Sequence, residues 1–258
     1  GGLKLMSDNH YYGCCACIGA AGIGIVPKLQ LLTIEKGFVM NLFIGGTVET
    51  TTPSGKKIVF ETQTEYPKNG NATITIHTEQ EEAFELLIRN PYWSKTTKIL
   101  VNGEKADTTE GYICVNRTWK DGDRIELSLD MRTEAIYPIA YGEQILMNKV
   151  IWGHNYMVST FDREDPIAHK HIALRRGPVM LAQENRLGYS VDKSVSIKVS
   201  EDRTVDTVLS KQDIAPYPHI VELQVPMTDG GYMAVTDYAS AGKLWTEESK
   251  MAVWMLAE

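Results

Sequence analysis

Three cysteines fall within four residues, at Cys14, Cys15 and Cys17, directly after Asn9-His10-Tyr11-Tyr12-Gly13. The fourth, Cys114, lies almost a hundred residues further on. Packing gives little reason to crowd thiols so closely. Thiolates are nucleophiles and soft metal ligands, so this cluster is the first candidate for chemistry. A bridge between the neighbours Cys14 and Cys15 would close a ring far from normal disulfide geometry. Cys14 and Cys17 share the Cys-x-x-Cys spacing of redox dithiols, but no βαβ pattern surrounds them. Cys114, inside Gly111-Tyr112-Ile113-Cys114-Val115, alternates like a strand residue and reads as a small buried hydrophobe. Little chain precedes the cluster to supply it with partners, which points to one part of a larger enzyme.

Other residues compete less well. His10, four residues before Cys14, is placed to donate to a thiolate or a substrate. His169-Lys170-His171 would put two imidazoles on one face of an extended segment, but no third ligand is evident, and a surface or strand-end role is expected. Trp93, Trp119, Trp152 and Trp245 suggest sugar stacking, yet the first two sit among turn residues and read as packing anchors. Glu184 follows an apolar strand and reads as a structural hydrogen-bonding carboxylate. Asn71-Ala72-Thr73 and Asn116-Arg117-Thr118 fit the glycosylation pattern, a short one that arises by chance.

These residues belong to a chain of 258 residues, 43% hydrophobic and 23% charged, with room for one large domain or two ordinary ones. A net charge of −7 with no basic block argues against nucleic acid or an anionic membrane as partner. No apolar run reaches the ~20 residues that cross a bilayer. The start shows no secretory leader, so the chain is expected to be mature, cytoplasmic or truncated.

From Cys14 to Leu32 the residues are small and apolar, reading as a buried helix loosened by Gly19, Gly22 and Gly24 and kinked or ended near Pro27. It is apolar on nearly every face and therefore needs neighbours on all sides. Beyond Gly37 the pattern changes to short β-branched runs separated by turn residues. Strands are expected over 38–44, 47–52, 57–62, 72–77, 84–89, 98–101, 112–116 and 124–129, with Asn102-Gly103 as a hairpin signal. Residues 133–165 read as a long connection carrying one or two strands. A second β region follows over 171–174, 178–183, 194–199, 220–225, 233–236 and 251–256. Many short strands at about ten-residue spacing indicate β-sandwiches.

Several of these segments together resemble glycoside hydrolase family 127, which includes β-L-arabinofuranosidases. Tyr12-Gly13-Cys14-Cys15 opens a small-residue helix, and Val39-Met40-Asn41-Leu42-Phe43-Ile44-Gly45 follows. Then come Thr64-Glu65-Tyr66-Pro67, Leu87-Ile88-Arg89-Asn90-Pro91-Tyr92-Trp93, Val101-Asn102-Gly103, and Trp119-Lys120-Asp121-Gly122-Asp123. Ala173-Leu174-Arg175-Arg176-Gly177-Pro178-Val179 and Tyr238-Ala239-Ser240-Ala241-Gly242 close the series, in the family's order.

The resemblance implies an all-β chain of two β-sandwich-like domains, preceded by the short helical remnant of an (α/α)6 barrel. Residues 1–36 would be that remnant, 37–135 the first sandwich, and 136–258 the connection and second sandwich. It assigns Cys14 the roles of nucleophile and zinc ligand and Cys15 that of zinc ligand. A glutamate and a third cysteine from the upstream barrel would complete the site. Pro-Pro-Asn, usual after the cysteine pair, is replaced by Ala16-Cys17-Ile18, so Cys17 has no assigned role and reads as a packing thiol. The expected partners are an arabinofuranoside-like glycan and the preceding barrel of the same protein, in a bacterial periplasm or cytoplasm. Zn2+ would belong to the longer parent, and this chain without its barrel would be inactive. The competing reading is a non-catalytic, carbohydrate-binding or structural β-sandwich module.

Overall fold

The computed structural model describes residues 13–138, 168–247 and 249–257; for residues 13–16 and for Ala168 only the backbone is described. The chain divides into two compact units, Gly1–Met131 and Arg132–Glu258. Strands dominate both, so the all-β expectation holds.

One helix of ordinary length is present among the described residues: α1, Gly13–Ile25. It gives way to a 3-10 turn, Val26–Leu29, because Pro27 offers no N–H and its ring crowds the preceding turn. The expected helix therefore ends well before Leu32, and Leu31 already belongs to a strand. Nor is the helix buried. Ile18 is 72% and Ile23 77% exposed, and no described side chain from Cys17 to Leu29 is buried. The neighbours that an apolar helix requires are not supplied by the described residues.

The first unit is a two-sheet sandwich. Its strands are β1 (Leu31–Ile34), β2 (Gly37–Met40), β3 (Gly46–Thr51), β4 (Lys57–Thr64), β5 (Asn71–Thr78), β6 (Glu82–Asn90), β7 (Lys98–Val101), β8 (Glu104–Lys105), β9 (Gly111–Trp119) and β10 (Arg124–Ser128). One sheet runs β1-β2-β6-β9, the other β3-β4-β5-β10-β7-β8. Period-two burial builds the core: Ile58 and Phe60 on β4, Ile74 and Ile76 on β5, Leu86 and Ile88 on β6, and Ile125 and Leu127 on β10 all face inward. Phe38 joins the layers, edge-on to Phe60 of the facing sheet at 5.1 Å and to Phe84 of its own at 5.3 Å.

Two backbone positions decide the pairing. β2 runs parallel to β6, and at Gly37 (φ +154°) an added Cβ would lie 1.9 Å from the Glu85 carbonyl oxygen. Only glycine admits that approach. Asn102 and Gly103, with φ of 52° and 83°, turn β7 into β8 as the hairpin signal predicts. The Asn102 side chain fixes the turn, accepting from Arg124 N at 2.8 Å and donating to Asp123 Oδ1 at 2.8 Å.

The second unit opens with β11 (Thr133–Ile136), four residues that the sequence boundary at 135/136 divides differently. β11 goes with this unit because it pairs β12 (His171–Arg176) and β14 (Thr204–Val205). With β13 (Val179–Glu184), β15 (Val208–Leu209), β16 (Glu222–Pro226) and β17 (Tyr232–Asp237), the path is β14-β11-β12-β13-β17-β16-β15, antiparallel throughout. The expected strand 194–199 forms only isolated bridges at Val195, Ile197 and Val199. The run 251–256 divides into β18 (Met251–Ala252) and β19 (Met255–Leu256), on β13 and β12 respectively. Leu174, Leu181, Leu223, Val225, Met233 and Val235 form the unit's core.

Candidate functional site

The backbone places Cys14 and Cys15 on α1. The junction below the helix is firmly tied to the first unit. The Gln30 carbonyl accepts from Asn41 N at 2.9 Å, the Gln30 amide donates to Ile44 O at 2.8 Å, and Asn41 Nδ2 donates to Leu29 O at 3.2 Å. Tyr112 Oη completes the tie by donating to Asn41 Oδ1 at 3.0 Å. The cysteine helix thus leaves the sandwich from a fixed point, through residues that lie in or beside the motif Val39–Gly45.

The other candidates separate cleanly. His10 and Trp152 lie outside the described residues. Cys17 is exposed and packs against none of the described residues, so the packing role expected of it finds no support among them. Cys114 is exposed as well, a correction to its reading as a buried hydrophobe. On β9 the inward positions are Ile113 and Val115, so the residue between them faces out. His169 sits exposed in a 3-10 turn and His171 opens β12, the strand-end placement anticipated. Among the described residues no three His, Cys, Asp or Glu side chains converge as a metal site.

The tryptophans in motifs are packing residues. Trp119 is fully buried, donates Nε1 to Phe84 O at 3.1 Å and carries the Arg117 guanidinium over its ring at 5.4 Å. Trp93 is buried and stacked on Tyr66. Trp245, by contrast, is 55% exposed.

Glu184 is the most constrained carboxylate. It ends β13, is fully buried, and accepts from Arg186 Nε, from Tyr217 Oη, and from Gly242 N at 3.1 Å. Burial alone would raise its pKa, but these donors and the Arg186 charge outweigh it and hold the carboxyl below its ordinary value. Tyr217 is displaced upward by burial and by its bond to Glu184. Arg186 also donates to the carbonyls of Lys243 and Leu244, at 2.9 and 2.8 Å, and lies over the Tyr217 ring. A carboxylate so saturated cannot shuttle protons; it pins the closing segment 238–245, as a structural role requires. Sequence reasoning missed Tyr217 and Arg186 as its partners. Arg186, two residues on from a carboxylate at the end of an apolar strand, was the available signal.

Residues 37–131 match the family described as beta-L-arabinofuranosidase, GH127 middle domain. The match opens at the first residue of β2 and closes at the last residue of the first unit. Among solved structures, the chain is similar to a GH127 beta-L-arabinofuranosidase from Geobacillus stearothermophilus T6, at 19% identity and TM-score 0.63, over 96% of this chain and 38% of that one. A second, titled a glycoside hydrolase, matches at 18% identity and TM-score 0.66, over 95% and 40%. A third, a GH127 beta-arabinofuranosidase, matches at 19% identity and TM-score 0.65, over 96% and 39%. No curated protein matches the sequence. The chain therefore spans about two fifths of the length of these structures. At such identities the likeness is one of fold, and the resemblance to family 127 drawn from the motifs holds over residues 37–131.

Proposed function

We propose that this chain is the C-terminal part of a retaining glycosidase of the β-L-arabinofuranosidase type, in which Cys14 is the nucleophile. The observation that carries the reading is continuity. A sandwich matching the family's middle domain is tied, through Gln30 and Asn41, to an apolar helix that carries Cys14 and Cys15.

The donor set suits zinc. Two thiolates are soft ligands for it, and zinc bound there would keep thiols deprotonated near neutral pH. Cys14 and Cys15 supply only two positions of a tetrahedral site, so further ligands must come from outside the described residues. Those are a glutamate and a cysteine of the preceding barrel in this reading. The Cys14 thiolate attacks the anomeric carbon, the glycosidic bond breaks, and a carboxylic acid protonates the departing oxygen. The same carboxylate then takes a proton from water, which displaces the thiolate and restores the original configuration. Glu184 cannot be that acid/base, being buried and saturated, so the barrel must supply it as well. The exposed apolar side chains of α1 fit a helix completed by such a barrel.

The test is zinc content and arabinose release, measured on this chain, on the longer parent and on the parent with Cys14→Ala. We expect stoichiometric zinc and release in the parent, neither in this chain, and loss of release in the variant. Release by this chain, or full release by the variant, would overturn the reading.

A further inference from the structure

We propose that the second unit carries a glycan-binding groove on its β15–β16–β17 face, separate from the cysteine helix. Strand register assembles it. Val208 pairs with Gln224, Gln224 with Ala234, and Pro226 with Tyr232. Residues directly opposite or two apart share a face, so Val208, Gln224 and Tyr232 stand on the same side of the sheet. Glu222, two residues before Gln224, stands there too. Its carboxylate, on a residue only 3% exposed, accepts from Ile214 N at 3.1 and 3.0 Å and from Ala215 N at 2.8 Å. That buried anchor pins the segment 211–214 as a wall over the face. The groove, open to solvent along one side, has a volume of about 560 Å³, within the ~300–1,000 Å³ of small-ligand sites.

The lining selects the ligand. Tyr232 is 62% exposed, an open aromatic ring for the C–H face of a sugar. The side-chain amides of Gln212 and Gln224 make no hydrogen bond among the described residues, and each can donate and accept, as sugar hydroxyls do. Lys211 and Asp213 contribute opposite charges, Asp213 is engaged by His219 Nε2 at 3.4 Å, and the Glu222 carboxylate is taken up by backbone N–H groups, so the lining presents no block of free charge of one sign to select an ion. A neutral oligosaccharide meets these conditions. An extended peptide added to the open β15 edge meets fewer of them, because β15 offers only two residues of ladder. The groove stands on geometry of the second unit; only the choice of arabinose-containing chains as first probes rests on the glycosidase reading.

The experiment is a calorimetric and ligand-observed NMR titration of the whole chain with short arabino-, xylo- and gluco-oligosaccharides. Tyr232→Ala, Gln224→Ala and, as a control in the other unit, Tyr92→Ala are titrated alongside, with melting curves to verify folding. We expect binding of one neutral oligosaccharide class, weakened about tenfold or more by Tyr232→Ala, weakened by Gln224→Ala and unchanged by Tyr92→Ala. Xylo- or gluco-oligosaccharide binding with this mutational pattern upholds the groove while counting against the arabinofuranoside reading. No binding by any of the three classes, or binding indifferent to Tyr232→Ala in a folded variant, would overturn the groove and leave the zinc-thiolate proposal untouched.

Discussion

Tyr217 donates its phenolic hydroxyl to the Glu184 carboxylate, and both side chains lie in the interior of the second unit. The pair is 33 residues apart in sequence, so its bond closes a long loop onto the end of β13. Removing the donor leaves a buried charge with one bond fewer. Tyr217→Phe is expected to cost about 1–3 kcal/mol, read as a lower midpoint in urea unfolding. A change within error would mean the phenol is dispensable.

Glu184 also sets an expectation for pH. Its folded pKa is depressed, so the stabilisation it gives is present above the unfolded carboxylate range and fades as pH falls through the folded value. Replacing it with glutamine removes that titration. Melting temperature against pH should therefore drop less steeply on the acid side for Glu184→Gln than for the native chain, though from a lower plateau. Parallel acid limbs would refute the assignment.

Gly37 and Gly55 both have positive φ, but only Gly37 faces a neighbouring backbone at contact distance. Gly37→Ala must push β2 away from β6 and is expected to cost about 3 kcal/mol or more. Gly55→Ala meets open space and should cost only about 1 kcal/mol, from the strained φ alone. Chemical denaturation of the two variants separates steric clash from conformational preference.

Much of the first unit was legible because alternation and turn chemistry are local signals. Asn102-Gly103 announced its hairpin, and Ile58, Phe60, Ile74 and Ile76 announced an inward face. What failed was whatever depended on distant partners. The parallel pairing of β2 with β6 leaves no local trace beyond Gly37, and 194–199 has strand composition without a continuous neighbour. Cys114 was misassigned because alternation gives a period but not a phase; Ile113 and Val115 on either side take the core positions. Cys14 and Cys15 were legible as chemistry through their crowding, whereas the Tyr232 groove needed three strands and a loop in register.

The phase of β9 has a direct chemical check. Native protein treated with iodoacetamide, then digested and weighed, should carry the label on both Cys17 and Cys114 without denaturant, since both are exposed. Protection of Cys114 until unfolding would place it in the core and reverse the face assignment of the whole strand.

The exposure of α1 can be tested by giving it the surface it lacks. Ile18 and Ile23 are 72% and 77% exposed, so the double change Ile18→Lys and Ile23→Lys removes little packing among the described residues. Its unfolding free energy should move by less than about 0.5 kcal/mol, and self-association at high concentration should fall. In a longer parent whose barrel covers these positions, the same change would bury two unpaired ammonium groups and cost several kcal/mol by the usual penalty for burying a charge. Melting both proteins with and without the substitutions gives the contrast directly. Equal losses in the two would show that the helix packs against the β units themselves. Equal indifference would show that nothing covers it, and the route by which Cys14 reaches its further ligands would have to be sought elsewhere.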